Sequence, residues 1–266
     1  MRARAHRSLH NAPAGNACMR AFWGAVPPPK SHPMDTVHIY FLLDRSGSMK
    51  SIADDVVGGF NAFLQGQTAL PHPSRLTLVQ FDCRNTHEIL HAGIPLHEVP
   101  PLTPESFIPR GGTPLYDAMF QLIEFATSSI HLRSSAGLPP EHILFITMTD
   151  GGENSSTRCE FTTLRTLTEE KTAAGWTFMH LSTDPTTEST MRELRVHAPR
   201  ITDRSSRGLE RGFSDLNSDV VSYRLSFDES DLFPSPPTSP STSTSTSTST
   251  SPSTSPSTST SPSTSL

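Results

Sequence analysis

Cysteine is scarce in this chain of 266 residues, and its scarcity argues against two classes of protein. The three cysteines, Cys18, Cys83 and Cys159, are odd in number and far apart, so they predict neither a disulfide framework nor a zinc knuckle. No run approaches the roughly 18 consecutive apolar residues that a membrane-spanning helix needs. We therefore expect reduced thiols, a cytoplasmic location and no membrane span.

An excess of positive charge is also missing. The formal net charge is −5, so no basic surface predicts a nucleic-acid partner. The Gly-x-Ser-x-Gly elbow of many hydrolases and the Gly-x₄-Gly-Lys-Ser/Thr phosphate loop are both absent. The histidines lie inside predicted strands or in loops without a spacing pattern, so none is an evident general base. We therefore expect a protein that is not an enzyme.

The two ends of the chain differ in composition from its middle. Residues 1–33 carry five basic residues and no acid, which predicts an unfolded extension, and translation from Met34 is the interpretation we favour over a transit peptide or a secretory signal. Residues 229–266 become almost wholly Ser, Thr and Pro, which predicts a disordered tail. An O-glycosylated stalk is the functional alternative for this tail.

Two apolar runs of strand length end at an aspartate. Val37–Leu43 leads directly into Asp44, and His142–Thr149 leads into Asp150. Runs that are apolar throughout are typical of central strands in a parallel sheet, and ligands bind at the carboxyl edge of such sheets. Both carboxylates should therefore reach the same edge, where they would repel each other unless a cation lies between them.

Hydroxyl groups accompany these aspartates. Asp44-x-Ser46-x-Ser48 places one carboxylate and two hydroxyls within one turn of loop, and Thr113 follows the glycine pair Gly111-Gly112. Oxygen ligands of this kind suit Mg²⁺. The alternative is that Asp44, Ser46 and Thr113 are only helix N-caps, with Pro114 at the first helical position.

The middle of the chain, residues 34–228, alternates strand and helix patterns. This alternation predicts an α/β fold, a three-layer α/β/α sandwich with a mostly parallel sheet. Residues 75–82 and 86–90 are separated by a short turn and predict a hairpin, which places one antiparallel strand at the sheet edge.

These motifs, taken together, resemble a von Willebrand factor A (VWA) domain over roughly residues 36–227, with a Rossmann-like fold. The segments 41–49, 110–117 and 149–154 are similar to stand-alone intracellular bacterial VWA proteins with a metal-ion-dependent adhesion site. The resemblance implies that Ser46, Ser48 and sometimes Thr113 bind Mg²⁺ directly, with Mn²⁺ as an alternative. It implies that Asp44 and Asp150 act largely through bound water.

The function that this resemblance implies is protein interaction. An Asp or Glu side chain of a partner protein would complete the coordination of the metal. Arg45 and Arg110 belong to the surface that we expect around the metal. Two alternatives stay open, a metal-dependent phosphoester hydrolase and an extracellular adhesin with a glycosylated stalk.

Overall fold

In the computed structural model, residues 36–197 and 199–232 are described, so the predicted N-terminal extension and most of the predicted tail lie outside the described residues. Six strands form one sheet with the order β3-β2-β1-β4-β5-β6. The strands are β1 Val37–Asp44, β2 Ser74–Asp82, β3 Asn85–Pro95, β4 His142–Thr149, β5 Thr177–Ser182 and β6 Arg200–Ile201. Only the β2–β3 pair is antiparallel, and the other four pairs are parallel.

Five α-helices cover the two faces of the sheet. They are α1 Ala53–Thr68, α2 Leu115–Ser135, α3 Phe161–Ala173, α4 Thr187–Glu193 and α5 Ser206–Leu232. Helices α1 and α5 contribute to the apolar core on one face, and α2, α3 and α4 contribute to the core on the other face. The predicted α/β/α sandwich, with a mostly parallel sheet and one antiparallel edge strand, is therefore confirmed.

The central strand β1 requires a layer of helices on each face of the sheet. Its residues alternate between the two cores, with Ile39, Phe41 and Leu43 in one and Tyr40 and Leu42 in the other. Each of these side chains is fully buried. A strand that is apolar on both faces cannot leave either face to water, so both helix layers are required.

Glycines in α1 set its distance from α5. A Cβ atom on Gly59 would lie 2.2 Å from the ring of Phe213, and one on Gly66 would lie 2.6 Å from the side chain of Asn217. The two glycines lie seven residues apart and therefore on one face of the helix. They permit close packing of α1 against another helix, α5, rather than against the sheet.

No helix in residues 36–197 and 199–232 is both long and apolar enough to cross a membrane.

His180 on β5 is a titratable group within the fold. Its side chain is buried, its Nε2 lies 3.4 Å from the Thr187 hydroxyl, and its Nδ1 has no hydrogen-bond partner in the described chain. Burial lowers the pKa of His180 from 6.5 to about 3. In the unfolded chain, His180 therefore binds a proton as the pH falls below 6.5, whereas in the folded protein it stays neutral until about pH 3.

We predict that His180→Gln flattens the pH dependence of stability. In the wild type, the free energy of unfolding should fall as the pH drops below 6.5, with His180 contributing up to about 1.4 kcal/mol per pH unit. Urea unfolding of both proteins at several pH values measures this slope. Above pH 7 the two slopes should agree, whereas equal slopes at acid pH would contradict the prediction.

Candidate metal centre

Three buried aspartates lie at the carboxyl edge of the sheet, and their carboxylates make different contacts. Asp44 ends β1, Asp82 ends β2 and Asp150 directly follows β4. All three are buried, although Asp82 was not a predicted site residue. The signal that singled out Asp44 and Asp150, an aspartate after a buried strand, applies equally to Asp82.

Asp82 is neutralised by arginine. Its Oδ2 accepts hydrogen bonds from Arg45 Nε at 2.7 Å and Arg110 Nε at 2.9 Å, and its Oδ1 accepts from the backbone N–H of Arg84. Burial acts to raise the pKa of Asp82, but these hydrogen bonds and charges outweigh it and lower the pKa. Arg45 is itself only 4% exposed, so the expectation that it belongs to the surface around the metal is wrong. Successive side chains along a strand alternate in direction. The side chain of Arg45, directly after β1, points towards Asp82 on β2 and not to the same side as Asp44.

Asp44 has no such compensation. Its Oδ1 accepts a hydrogen bond from the Ser46 backbone N–H at 2.6 Å, and its Oδ2 accepts one from the Thr149 hydroxyl at 2.6 Å. Burial raises the pKa of Asp44 to about 7, and these hydrogen bonds only partly oppose that rise, while the charge of Asp150 adds to it. A cation between the two carboxylates would remove this cost.

The hydroxyls of the loop after β1 connect the two carboxylates. Ser46 Oγ lies 3.1 Å from Ser48 Oγ, and Ser48 Oγ donates to Asp150 Oδ1 at 2.7 Å. Ser46 occupies the N-cap position of a short 3₁₀ helix, Gly47–Ile52, but its side chain makes no capping hydrogen bond. Asp44, Ser46, Ser48 and Asp150 are therefore joined by direct hydrogen bonds, as their placement at one sheet edge predicts.

Backbone contacts hold the segment before Thr113 beside the loop after β1. Gly47 N–H donates to Gly111 O at 2.9 Å, and Arg110 N–H donates to Arg45 O at 2.8 Å, so the two loops run side by side. Thr113 is 2% exposed, and the hydrogen bonds that fix its position are made by its backbone N–H and carbonyl oxygen. A buried hydroxyl at this position fits a ligand role.

The expectation that Thr113 caps α2 is wrong. The N-cap residue is Pro114, and no side chain of its own loop caps the helix. Thr113 instead exchanges two hydrogen bonds with Asn154, whose Oδ1 accepts from Thr113 N–H at 2.8 Å and whose N–H donates to Thr113 O at 3.1 Å. The β4–α3 loop thus holds the backbone of Thr113.

The same loop satisfies the first turn of α2. Glu153 Oε2 accepts from Tyr116 N–H at 2.9 Å, and Ser156 Oγ accepts from Asp117 N–H at 3.0 Å. In return, the Asp117 carboxylate accepts from three successive backbone N–H groups, at residues 157–159. These groups replace the missing cap, because the first N–H groups of a helix have no partner within the helix.

The glycine pair serves protein packing rather than approach to a ligand. A Cβ atom on Gly111, whose φ is +72°, would lie 2.6 Å from Cys83 Sγ, and one on Gly112 would lie 2.9 Å from Ser155 Oγ. The two glycines let the Thr113 loop fit between its neighbouring segments.

The donor set fits a hard cation. Its side chains offer two carboxylates and three hydroxyls and no nitrogen or sulfur, and such oxygen ligands suit Mg²⁺ or Mn²⁺. Asp150 Oδ2 is buried and accepts no aligned hydrogen bond from the described residues, although the Arg204 guanidinium lies 2.7 Å away, so this oxygen keeps its capacity to accept a ligand. Within the described residues no group of three or more His, Cys, Asp or Glu side chains could hold a metal ion, this cluster included, so a metal here would depend on the hydroxyls as well as the two carboxylates.

Comparison with solved structures concerns the fold. A pilus adhesin, SpaC from Lactobacillus rhamnosus GG, matches with a TM-score of 0.51 and 13% identity over 71% of this chain and 30% of the adhesin. The manganese-loaded TRAP protein of Plasmodium vivax matches at 0.42 and 14%, over 67% of this chain and 73% of TRAP. The SpRpn10 VWA domain matches at 0.43 and 12%, over 67% of this chain and 94% of that domain.

An identity of 13% shows a shared fold alone, here with the adhesin. This chain spans less than a third of the adhesin. No protein-family model and no curated protein sequence matches it.

We predict that Asp44→Asn stabilises the metal-free protein. The raised pKa of Asp44 means that its charged form costs stability as the pH rises through about 7. An asparagine can keep both contacts, because Thr149 can donate to Gly151 O, 2.8 Å away, while accepting from the new amide. At pH 8 in chelator, the free energy of unfolding should rise by roughly 1–3 kcal/mol.

Asp82→Asn is the matched control, because it removes the same charge at the same sheet edge. It leaves Arg45 and Arg110 without their shared carboxylate, so it should destabilise the protein. Urea unfolding in chelator measures both variants. If Asp44→Asn lost as much stability as Asp82→Asn, the Asp44 charge would be compensated and the argument for a cation would fail.

Proposed function

We propose that this chain is a protein-interaction module that depends on a divalent metal, with Ser46, Ser48 and Thr113 as direct ligands. Asp44 and Asp150 hold the ion mainly through bound water. The observation that carries this proposal is the pair of buried carboxylates, linked through two serine hydroxyls, of which Asp44 has no counter-charge. A divalent ion bound there would act as a Lewis acid, and an Asp or Glu side chain of a partner protein would complete its coordination.

The types of metal ligand favour binding of a partner protein over catalysis. Neutral hydroxyls cancel none of the charge of an Mg²⁺ ion, and carboxylates that act through water cancel it less than direct ligands do. The protein therefore keeps an electrophilic position for an anionic group. Such a position suits the short side chain of a partner's Asp or Glu.

A hydrolytic function receives no support from the histidines in the strands. His38 lies near the start of β1, which is the sheet edge opposite to Asp44, and it is buried between Thr77 and Glu141. Burial lowers the pKa of His38 despite its contact with Glu141. His180 is buried within β5. We therefore propose that the module is not an enzyme.

The location proposed for the module is the cytoplasm, as the sequence predicts. This location rests on the composition of the chain. The folded domain is proposed to span residues 34–228, with 1–33 as an extension and 229–266 as a tail, although α5 continues past this boundary to Leu232.

We predict saturable binding of Mg²⁺ and Mn²⁺ by the full chain in calorimetric titration. Asp44→Ala should weaken binding by roughly 10–100-fold, the usual effect of losing a group that orients metal ligands. Thr113→Ala should also weaken it, because one direct ligand is lost. Glu124→Ala, which removes an exposed carboxylate on α2, should bind as the wild type does. Equal affinities for all four proteins would refute the proposed site.

We also predict that a carboxylate can enter the coordination of bound Mn²⁺. The enhancement of water-proton relaxation by protein-bound Mn²⁺ reports the exchangeable waters on the ion. Excess acetate should lower this enhancement, because its carboxylate displaces one water, and chloride at the same ionic strength should not. If acetate and chloride acted alike, the metal would be fully enclosed by the protein and could not receive a partner's side chain.

A further inference from the structure

Arg204 lies at the rim of the candidate metal centre, although no sequence pattern pointed to it. It belongs to the loop between β6 and α5, and its side chain is 41% exposed. Its Nη2 lies 2.7 Å from Asp150 Oδ2, 2.8 Å from Ser48 O and 3.0 Å from Ser51 Oγ. A single nitrogen thus contacts both segments that carry the predicted metal ligands after β1 and β4.

The contact with Asp150 is a contact between charges rather than an aligned hydrogen bond. Nη2 of an arginine has two hydrogens, and here they serve Ser48 O and Ser51 Oγ. Asp150 Oδ2 consequently accepts no hydrogen bond, although the guanidinium lies next to it. Asp150 Oδ1 is occupied by the Ser48 hydroxyl. The guanidinium therefore stabilises the charge of Asp150 but leaves its free oxygen available to a better partner.

The other basic groups nearby are committed elsewhere. Arg45 and Arg110 both donate to Asp82, and neither forms an ion pair with Asp44 or Asp150 within the described residues. Arg204 is thus the cationic side chain that forms an ion pair with the predicted metal-binding carboxylates in this part of the chain. A divalent cation and Arg204 would be attracted by the same oxygen and would repel each other.

We propose that Arg204 is a built-in competitor of the divalent cation, which lowers the metal affinity of the site and releases Asp150 Oδ2 when the site is loaded. This inference rests on the proposed metal-dependent function. It assigns a role to the β6–α5 loop, whose contact with the loop after β1 depends on the same guanidinium. Loading of the site and the position of this loop would be coupled as a result.

A purely structural role for Arg204 makes a different prediction. If Arg204 only tied the β6–α5 loop to Ser48 and Ser51, its loss would loosen the ligand loop and weaken metal binding. If its charge opposes the cation, its loss strengthens metal binding. The sign of the change in affinity therefore separates the two roles.

The experiment is calorimetric titration of Mg²⁺ into the full chain and into Arg204→Gln, Arg204→Ala and Arg204→Lys. We expect Arg204→Gln and Arg204→Ala to bind Mg²⁺ at least roughly tenfold more tightly than the wild type, because one positive charge next to the ion is lost. Arg204→Lys keeps the charge and should bind much as the wild type does. Arg165→Ala, which removes an exposed arginine paired with Glu169 on α3, should leave the affinity unchanged.

Thermal unfolding in chelator supplies a readout without metal. Loss of Arg204 leaves the Asp150 charge buried and unpaired, so Arg204→Gln should melt at a lower temperature than the wild type in chelator. Added Mg²⁺ should then raise its melting temperature by more than that of the wild type. The difference in affinity should also shrink as NaCl is raised from about 50 to about 500 mM, because salt screens exposed charges.

The outcomes separate this inference from the function on which it rests. Mg²⁺ binding by the wild type with equal or weaker binding by Arg204→Gln and Arg204→Ala would overturn the competitor role and leave the metal site standing. Absence of binding by every protein, including Arg204→Gln, would overturn both. Tighter binding by the neutral variants, with Arg204→Lys unchanged, would establish that the charge of Arg204 opposes the cation.

Discussion

Negative charge gathered at the carboxyl edge of the sheet is the constraint on which the arrangement of the loops depends. Parallel strands bring Asp44, Asp82 and Asp150 to one edge and bury all three, which is costly without opposite charge. Two arginines compensate Asp82 and one exposed arginine compensates Asp150. Within the described residues Asp44 has hydrogen bonds from Ser46 and the Thr149 hydroxyl but no ion pair with a basic side chain. The positive charge next to these carboxylates thus decreases from Asp82 on β2 towards the cluster of hydroxyls. The candidate metal centre lies where this positive charge is smallest.

The loop that carries Thr113 is held at this edge by backbone contacts and by the β4–α3 loop. Asn154 holds the backbone of Thr113, and Glu153 and Asp117 tie the β4–α3 loop to the start of α2. Because the first N–H groups of α2 are satisfied from another loop, the Thr113 side chain is not needed as a cap. A hydroxyl that is positioned by its backbone and spared from capping is available to a ligand.

The sequence predicts what periodicity and strand ends determine and misses what depends on tertiary contacts. Continuous apolar runs identified β1 and β4, and the carboxyl-edge rule placed Asp44 and Asp150 together. Thr113 was expected to be an N-cap because that preference is local, whereas Asn154, 41 residues later, decides its contacts. Arg204 follows Asp150 by 54 residues and lies in a loop without periodicity, so only the folded chain shows that the two meet.

Arg204 has opposite effects on the two steps of the proposed function. It opposes binding of the metal ion, and it favours binding of an acidic partner to the loaded centre. With Asp44 and Asp150 ionised, their two negative charges would offset part of the charge of a divalent cation even through bound water, which reduces the attraction for a partner's carboxylate. Arg204 adds one positive charge at the same rim. A residue that weakens loading of the metal therefore gives the loaded centre a net positive charge. The same arginine that opposes the ion would favour an anionic partner once the ion is bound.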